Sequence, residues 1–457
     1  MTINPLVSSC GFGIGAITPE NSGSQGTAKA DGSKASPYQP PSLEETFNSS
    51  SNDQVSIIVQ NGDKAKLAAL KAQLAAGKTQ APQTEDLPII NGFSVQVPQN
   101  DAEAFRALVA ARDSGSAVTV DTLKDFGAFD SDVEKLSGMI NAASKESNVM
   151  FGVDKLHEQG ITGKGTCICV LDSGIAPHPD LKDRIIAFKD CVNGRKEPYD
   201  DNGHGTHCAG IAAGDGTSSG GKNVGVAPEA NIVGVKVLDE FGNGTCSDII
   251  RGIQWAVTHQ HKYGIDVLTI SLGHSIDRTR FLDPLTLAVQ AASHLGLTVT
   301  VSAGNDGPAP STVCAPGNAP SAITVGALND NGTDDPTDDY PAMFSSRGPT
   351  PIDHLEKPDI MAPGVDIISC SNQDDGYVKM SGTSMSTPFA AGVAALMKQV
   401  CPKISSKHIK QVMMENTDPD SWKPYGNKEN GAGVLSPQRV IDVVSREAAM
   451  RKVAKNS

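Results

Sequence analysis

Apolar positions change their period several times between Gln54 and Asp121. In QVSIIVQ, Val55, Ile57 and Val59 alternate with their neighbours, the two-residue period of a strand. In DKAKLAALKAQLAA, Leu67, Leu70 and Leu74 return every three to four residues and share one helical face. IINGFSVQVP reads as strand again. Asn100 with Glu103 makes a cap signature before a helix whose stripe is Phe105, Leu108 and Val109, and AVTVDTL closes the run as a strand. Strand, helix, strand, helix, strand predicts a small α+β, ferredoxin-like unit over residues 51–125, built as a split βαβ. Periodicity alone leaves its role open, and an independent module fits the same pattern.

From 148 to 445 the pattern is different. CICVL (167–171), NIVGVKVL (231–238), IDVLTISL (265–272), LTVTVSA (297–303) and AITVGAL (322–328) are near-continuous apolar runs, as expected of strands buried on both faces. DIIRGIQWAVTHQHKY and PLTLAVQAASHLG, lying between them, have helical spacing. The alternation predicts an α/β fold, a doubly wound, mostly parallel sheet with helices on both faces. In such folds the sites lie at the carboxyl ends of strands. Residues 1–50, rich in Ser, Gly, Asn, Pro and Thr, read as a disordered leader, 126–147 as a polar linker, and 446–457 as a C-terminal tail.

Composition narrows the partners. A chain of 457 residues suits two folded units plus tails, and a net charge of −14 argues against nucleic acid or an anionic membrane as a partner. No apolar run reaches the length of a membrane span, and the N-terminus lacks the basic and apolar regions of a secretory signal. The expectation is a cytoplasmic protein or one exported by a non-classical route. Nine cysteines are scattered along the chain. Cys167 and Cys169 share one strand face and cannot bond each other without distortion, so mostly free thiols are expected.

Candidate chemistry sits at the strand and helix ends. Asp172 ends a buried strand, where a desolvated carboxylate could orient a histidine, although capping Asp residues are common. His204 and His207 open a small-residue helix. Together with Cys208 they could ligate a metal, while a single histidine between Gly203 and Gly205 fits a general base. Asn305 lies on a turn beyond a third strand, where its amide could donate to a developing oxyanion or serve the turn alone. In SGTSMSTPFAAGVAAL, Val393, Leu396, Met397 and Val400 have helical spacing, which puts Ser384 at a helix N-terminus and Pro388 in its first turn. Thr383, Ser386 and Thr387 read equally well as caps.

Taken together, the order Asp172, His204, Ser384 and the motifs VLDSGI, NGHGTHCAGIAAG, ISLG, SAGNDG, TVGA, FSSRGPT, KPDIMAPG and GTSMSTPFAAGVAAL closely resemble the subtilisin-like serine proteases, the subtilases. The resemblance implies a serine endopeptidase made as an autoprocessed zymogen. It implies Ser384 as nucleophile, His204 as general base, Asp172 as its orienting carboxylate, and Asn305 with the Ser384 N–H as the oxyanion hole. Ser271, Leu272 and Gly273 match the segment that pairs with an extended peptide, and Ala303 and Gly304 match the wall of the pocket before the scissile bond. Residues 51–125 resemble the family's inhibitory pro-domain and intramolecular chaperone, with autocleavage expected within the segment that follows. The implied partners are protein or peptide substrates and the chain's own pro-domain, with no nucleic acid and no membrane.

Departures from the family pattern are Ser386 where Ala is usual, His274 where Gly is common, and Cys314 with Ala315 near the pocket floor. His274 is expected to crowd the cleft. Cys208 follows His207 as in proteinase K, implying a buried thiol under the histidine helix. The loop GDGTSSGGKNVGVAP lacks the asparagine-containing calcium loop of secreted subtilisins, leaving Asp180 without partner ligands, so no cofactor and no tightly held metal are expected. Three other readings stand beside the protease: a peptide-cyclising or transamidating subtilase, an inactive binding protein locked by its pro-domain, and a metallohydrolase using His204, His207 and Cys208.

Overall fold

Strand β1 (Gln54–Gln60) is buried along both faces, not one. Val55, Ile57 and Val59 face the unit's own helices, while Ile58 enters a separate apolar cluster shared with the larger unit. That difference explains why Ser56 and Gln60, polar in sequence, are also buried. The computed structural model describes residues 54–75, 83–113, 115–121, 124–125, 151–333, 335–421 and 430–456. The leader expected over 1–50 and the linker with a processing site over 126–147 lie outside the described residues.

The small unit continues with α1 (Lys64–Ala75), β2 (Thr84–Leu87), β3 (Gly92–Pro98), α2 (Ala102–Arg112) and β4 (Ala117–Asp121). Its strands are antiparallel in the order β2-β3-β1-β4. Strand β2 is an addition to the sequence reading, because TEDL has no apolar alternation to reveal it. Helix α2 begins at Ala102 with Asp101, not Asn100, at its capping position and no side-chain cap bond. The stripe of Leu70, Leu74, Phe105 and Val109 packs on the sheet as its spacing predicts. A short strand, β5 (Lys124–Asp125), then leaves this unit and pairs with β9 (Asn243–Gly244) of the larger one.

The larger sheet is built from β6 (Cys167–Asp172), β7 (Ile185–Asp190), β8 (Asn231–Lys236), β10 (Val267–Ile270), β11 (Thr298–Ser302), β12 (Ile323–Asn329), β13 (Tyr340–Pro341) and β14 (Ile360–Pro363). Its order is β13-β12-β11-β10-β6-β8-β7 with β14 also on β12, and only β13 runs antiparallel. Alternate residues feed two helical layers. Ile168 and Val170 of β6 join one cluster, and Cys167, Cys169 and Leu171 join the other. The first layer holds α3 (Val153–Glu158), α4 (His204–Ala213), α7 (Thr383–Val400), α8 (Ser406–Glu415) and α9 (Pro437–Asn456). The second holds α5 (Cys246–Tyr263) and α6 (Pro284–His294), joined by Ile58, Leu87 and Ile90 of the small unit.

Strand β6 lies where the order turns, with β8 on one side and β10 on the other, so a crevice is expected at its carboxyl end. The hairpin β15 (Ile367–Cys370) and β16 (Tyr377–Met380) packs beside α4. Helix α9 runs through position 445, so the end of the catalytic unit expected there falls inside a helix. Among the described residues no helix is long and apolar enough to cross a membrane.

Candidate active site

Asp172 is the last residue of β6 and is buried. Its Oδ1 accepts the Ser173 N–H at 2.7 Å and lies 2.8 Å from Nδ1 of His204, the first residue of α4. Two further residues hold this pair in place, and neither was singled out from sequence. The carboxylate of Asp200 accepts from the N–H groups of Asn202, Gly203 and Thr206, from Thr206 Oγ1 and from Ser173 Oγ. It thereby caps the first turn of α4. Lys236, fully buried opposite Asp172, donates to Ser173 O at 2.6 Å, Leu238 O at 2.6 Å and Asp201 Oδ1 at 2.5 Å. Its three protons are spent on three acceptors that flank both candidate residues. Gly205 is required by close approach, since a Cβ there would lie 2.1 Å from Gly174 O.

Burial alone would lower the pKa of His204. The charge and hydrogen bond of Asp172 outweigh it and hold the imidazole well above its ordinary value. Nε2 of His204 is buried and has no hydrogen-bond partner among the described residues.

Ser384 is the second residue of α7, as its position in the sequence suggests. Pro388, however, lies in the second turn and not the first, because the helix already starts at Thr383. Proline supplies no N–H to the carbonyl four residues back, which is that of Ser384. Ser271 Oγ at 3.0 Å and Cys208 Sγ at 3.4 Å donate to that carbonyl instead. The Ser384 hydroxyl donates to Ser271 O at 3.3 Å and so is not bonded to His204 Nε2. Bonds of this kind are commonly long or misaligned before substrate arrives and tighten in the complex. Asn305 Oδ1 accepts both the N–H and the Oγ1 of Thr383, each at 2.9 Å. That fixes the amide and leaves its NH2 end toward Gly382, where a Cβ would lie 3.4 Å from Nδ2.

A buried Asp–His pair, a serine on the first turn of a helix and a fixed amide thus meet at the carboxyl end of one sheet. Residues 163–439 match the Subtilase family. The chain belongs to this family. It is 46% identical over 303 residues to serine protease AprX of Bacillus subtilis, covering 62% of this chain and 67% of that one. It is 37% identical over 286 residues to subtilisin BL of Lederbergia lenta, covering 61% of this chain and 96% of that one. A thermostable alkaline protease of Halalkalibacterium halodurans is 37% identical over 278 residues, with 61% and 69% covered. This subtilase is a serine endopeptidase, a hydrolase acting on protein or peptide substrates.

Close approaches crowd the backbone of the two segments read from sequence as substrate-binding. Ser271, Leu272 and Ala303 are buried, and Ser271 meets Ser384 through both its hydroxyl and its carbonyl. A Cβ on Gly273 would meet Ala315 O at 2.8 Å, and one on Gly304, at φ +107°, would meet Cys314 Sγ at 2.6 Å. Cys314 therefore stands against Gly304 and donates its S–H to Asp306 Oδ2 at 3.2 Å. Burial, then the Asp306 charge, push its thiol up. Ser386, in the place of the usual Ala, donates to Ala362 O at 3.0 Å, so its hydroxyl has a buried acceptor. The His274 ring turns to Asp283, with Nε2 3.2 Å from Oδ2.

Among the described residues His207 joins no cluster of metal-ligating atoms, whereas those of Asp172, His204 and Cys208 lie within 4.8 Å of one another. The Nε2 of His207 lies 3.1 Å from both Ile367 O and Val378 O, so it joins α4 to β15 and β16. Burial, then the neighbouring His204, push its pKa down to about 3. Sequence spacing gave no warning of a second cluster, His178, Asp180 and Cys370, because Cys370 is distant in sequence. These groups have protein partners. Asp180 accepts from Ser218 N–H at 2.8 Å and Tyr377 OH at 2.7 Å, and His178 lies 2.9 Å from Gly376 O. A thiol, an imidazole and one carboxylate already bonded to donors do not suit calcium.

Proposed function

We propose that this subtilase hydrolyses peptide bonds through Asp172, His204 and Ser384, and that it is made as a zymogen restrained by its own residues 51–125. Ser384 Oγ attacks the peptide carbonyl while His204 takes its proton, and Asp172 keeps the imidazole in the tautomer that can accept it. The acyl-enzyme is then hydrolysed by water, with His204 first protonating the leaving amine. The Asn305 amide and the Ser384 N–H stabilise the oxyanion. Ser271–Gly273 pairs with the extended substrate, and Ala303 and Gly304 wall the pocket before the scissile bond. The observation that carries this reading is the 2.8 Å contact between His204 Nδ1 and Asp172 Oδ1, with Ser384 on the first turn of a neighbouring helix.

The zymogen part rests on docking. Asp121 at the end of β4 accepts the N–H groups of Cys246 and Ser247 at 2.7 and 2.9 Å, capping α5 from outside the catalytic unit. Arg251 pairs with Glu85 at 2.7 Å, and β5 continues as a strand along Asn243–Gly244. A fluorophosphonate probe tests the whole reading, with Ser384→Ala as control. The wild-type chain should label at Ser384 and lose the mass of its N-terminal segment, and the variant should do neither. Full-length wild type that stays unlabelled would instead favour the permanently locked form.

A further inference from the structure

The loop from His274 to Asp283 closes on itself at the edge of the cleft. The backbone N–H and C=O of His274 pair with Ala315, both at 2.8 Å, which joins the Ser271–Gly273 edge to the Ala315 wall. Its ring spans two oxygens, with Nδ1 3.0 Å from Ser275 O and Nε2 3.2 Å from Asp283 Oδ2. The two side chains are 7% and 4% exposed, so the contact is shielded from solvent. Asp283 is also the N-cap of α6, accepting the Thr286 N–H at 2.7 Å. Burial would raise its carboxyl, but the bonds from His274 and Thr286 hold it below the usual range. One residue therefore joins the cleft edge to the pocket wall through its backbone and anchors both at the start of a core helix through its ring. The same loop carries Arg278, which donates to Thr119 Oγ1 on β4 at 2.8 Å, and Arg280, whose N–H donates to Asp353 at 2.7 Å.

We propose, resting on the endopeptidase reading above, that His274 is a positioning residue for substrate: its bridge to Asp283 anchors the backbone-paired Ser271–Gly273 edge and Ala315 wall on α6 and so sets affinity for extended peptides. The ring touches neither the scissile bond nor the candidate triad. Its loss should therefore weaken binding of long peptides while leaving the chemical step intact. A histidine serving the core alone would lower stability and leave the kinetics of the folded fraction unchanged.

The test uses the purified, self-processed enzyme and peptide substrates of increasing length on the acyl side. His274→Ala should raise KM for the longest peptides by roughly tenfold, the loss expected for a shielded bond to a charged partner, and leave kcat nearly unchanged. A substrate filling only the pocket should be turned over as before. His274→Gln, which keeps an N–H for Asp283, should recover most of the KM. Asp283→Asn added to His274→Ala should raise KM no further, because the two act through one bridge. Equal falls in kcat for every substrate, or a lowered melting temperature with unchanged KM, would overturn the proposal. Wild type inert to the fluorophosphonate probe would overturn the endopeptidase reading itself, and this inference with it. An active wild type whose His274→Ala form keeps its KM removes the inference alone.

Discussion

His204 stands between opposing forces. Burial disfavours its charged form, and the Asp172 carboxylate favours it more strongly, so the proton is held above the ordinary imidazole range. A general base works when unprotonated. The rise of kcat/KM with pH should therefore lie above that of an exposed histidine. Asp172→Asn removes the charge and leaves the burial, so the rise should move to lower pH while turnover falls by about 10⁴-fold, as read from pH–rate profiles of both enzymes. For stability the sign is the reverse. The raised pKa stabilises the fold below about pH 6.5, the value of a free imidazole, and that contribution disappears as pH climbs through the folded value. Asp172, His204, Asn305 and Ser384 stand out in sequence only jointly, through their order and surrounding motifs, since each alone also reads as a cap, a turn residue or a metal ligand; the structure brings Asp172 and His204 to 2.8 Å. Asp200 and Lys236 do not stand out, since a capping Asp and a strand-end Lys look ordinary until their acceptors converge from separate segments.

Helix α7 departs from its sequence reading at Pro388, and the reason is physical. Sequence spacing marks where a helix runs but not its first hydrogen bond, and the helix begins one residue before Ser384. The carbonyl left over is met by Ser271 from beyond β10 and Cys208 from α4, side chains distant in sequence. The hairpin β15–β16 was likewise invisible to an apolar pattern, and His207 holds it to α4. His207 has its folded pKa depressed to about 3 from 6.5. Its contribution to stability is present above pH 6.5 and is lost as pH falls toward the folded value. In a Ser384→Ala background, which prevents self-digestion, denaturant unfolding should show stability falling through that window. His207→Ala should cost about 1–3 kcal/mol at neutral pH and flatten the acid dependence.

At the scale of the whole molecule, the parallel sheet was readable because strands buried on both faces have no polar alternation to hide them. The antiparallel β13 and the short β2 were not, being too brief and too polar. Among the described residues, docking of the small unit combines the apolar Ile58, Leu87 and Ile90 with directed polar contacts, among them Asp121 on α5. Asp121→Ala should weaken binding of the excised unit to the enzyme by roughly tenfold, the effect of a lost cap, measured as an inhibition constant. Asp180 is bonded to protein donors, so a chelator should leave the melting temperature unchanged, and a large calcium-dependent fall would refute that. The borrowed cap has a further effect on timing. On the proposed zymogen reading, residues 51–125 would act at α5 at a local concentration of millimolar order while tethered, and after a cut they would rebind only as a separate solute. Scission alone would then leave the enzyme silent in a crowded preparation, and dilution would become the second key that starts it.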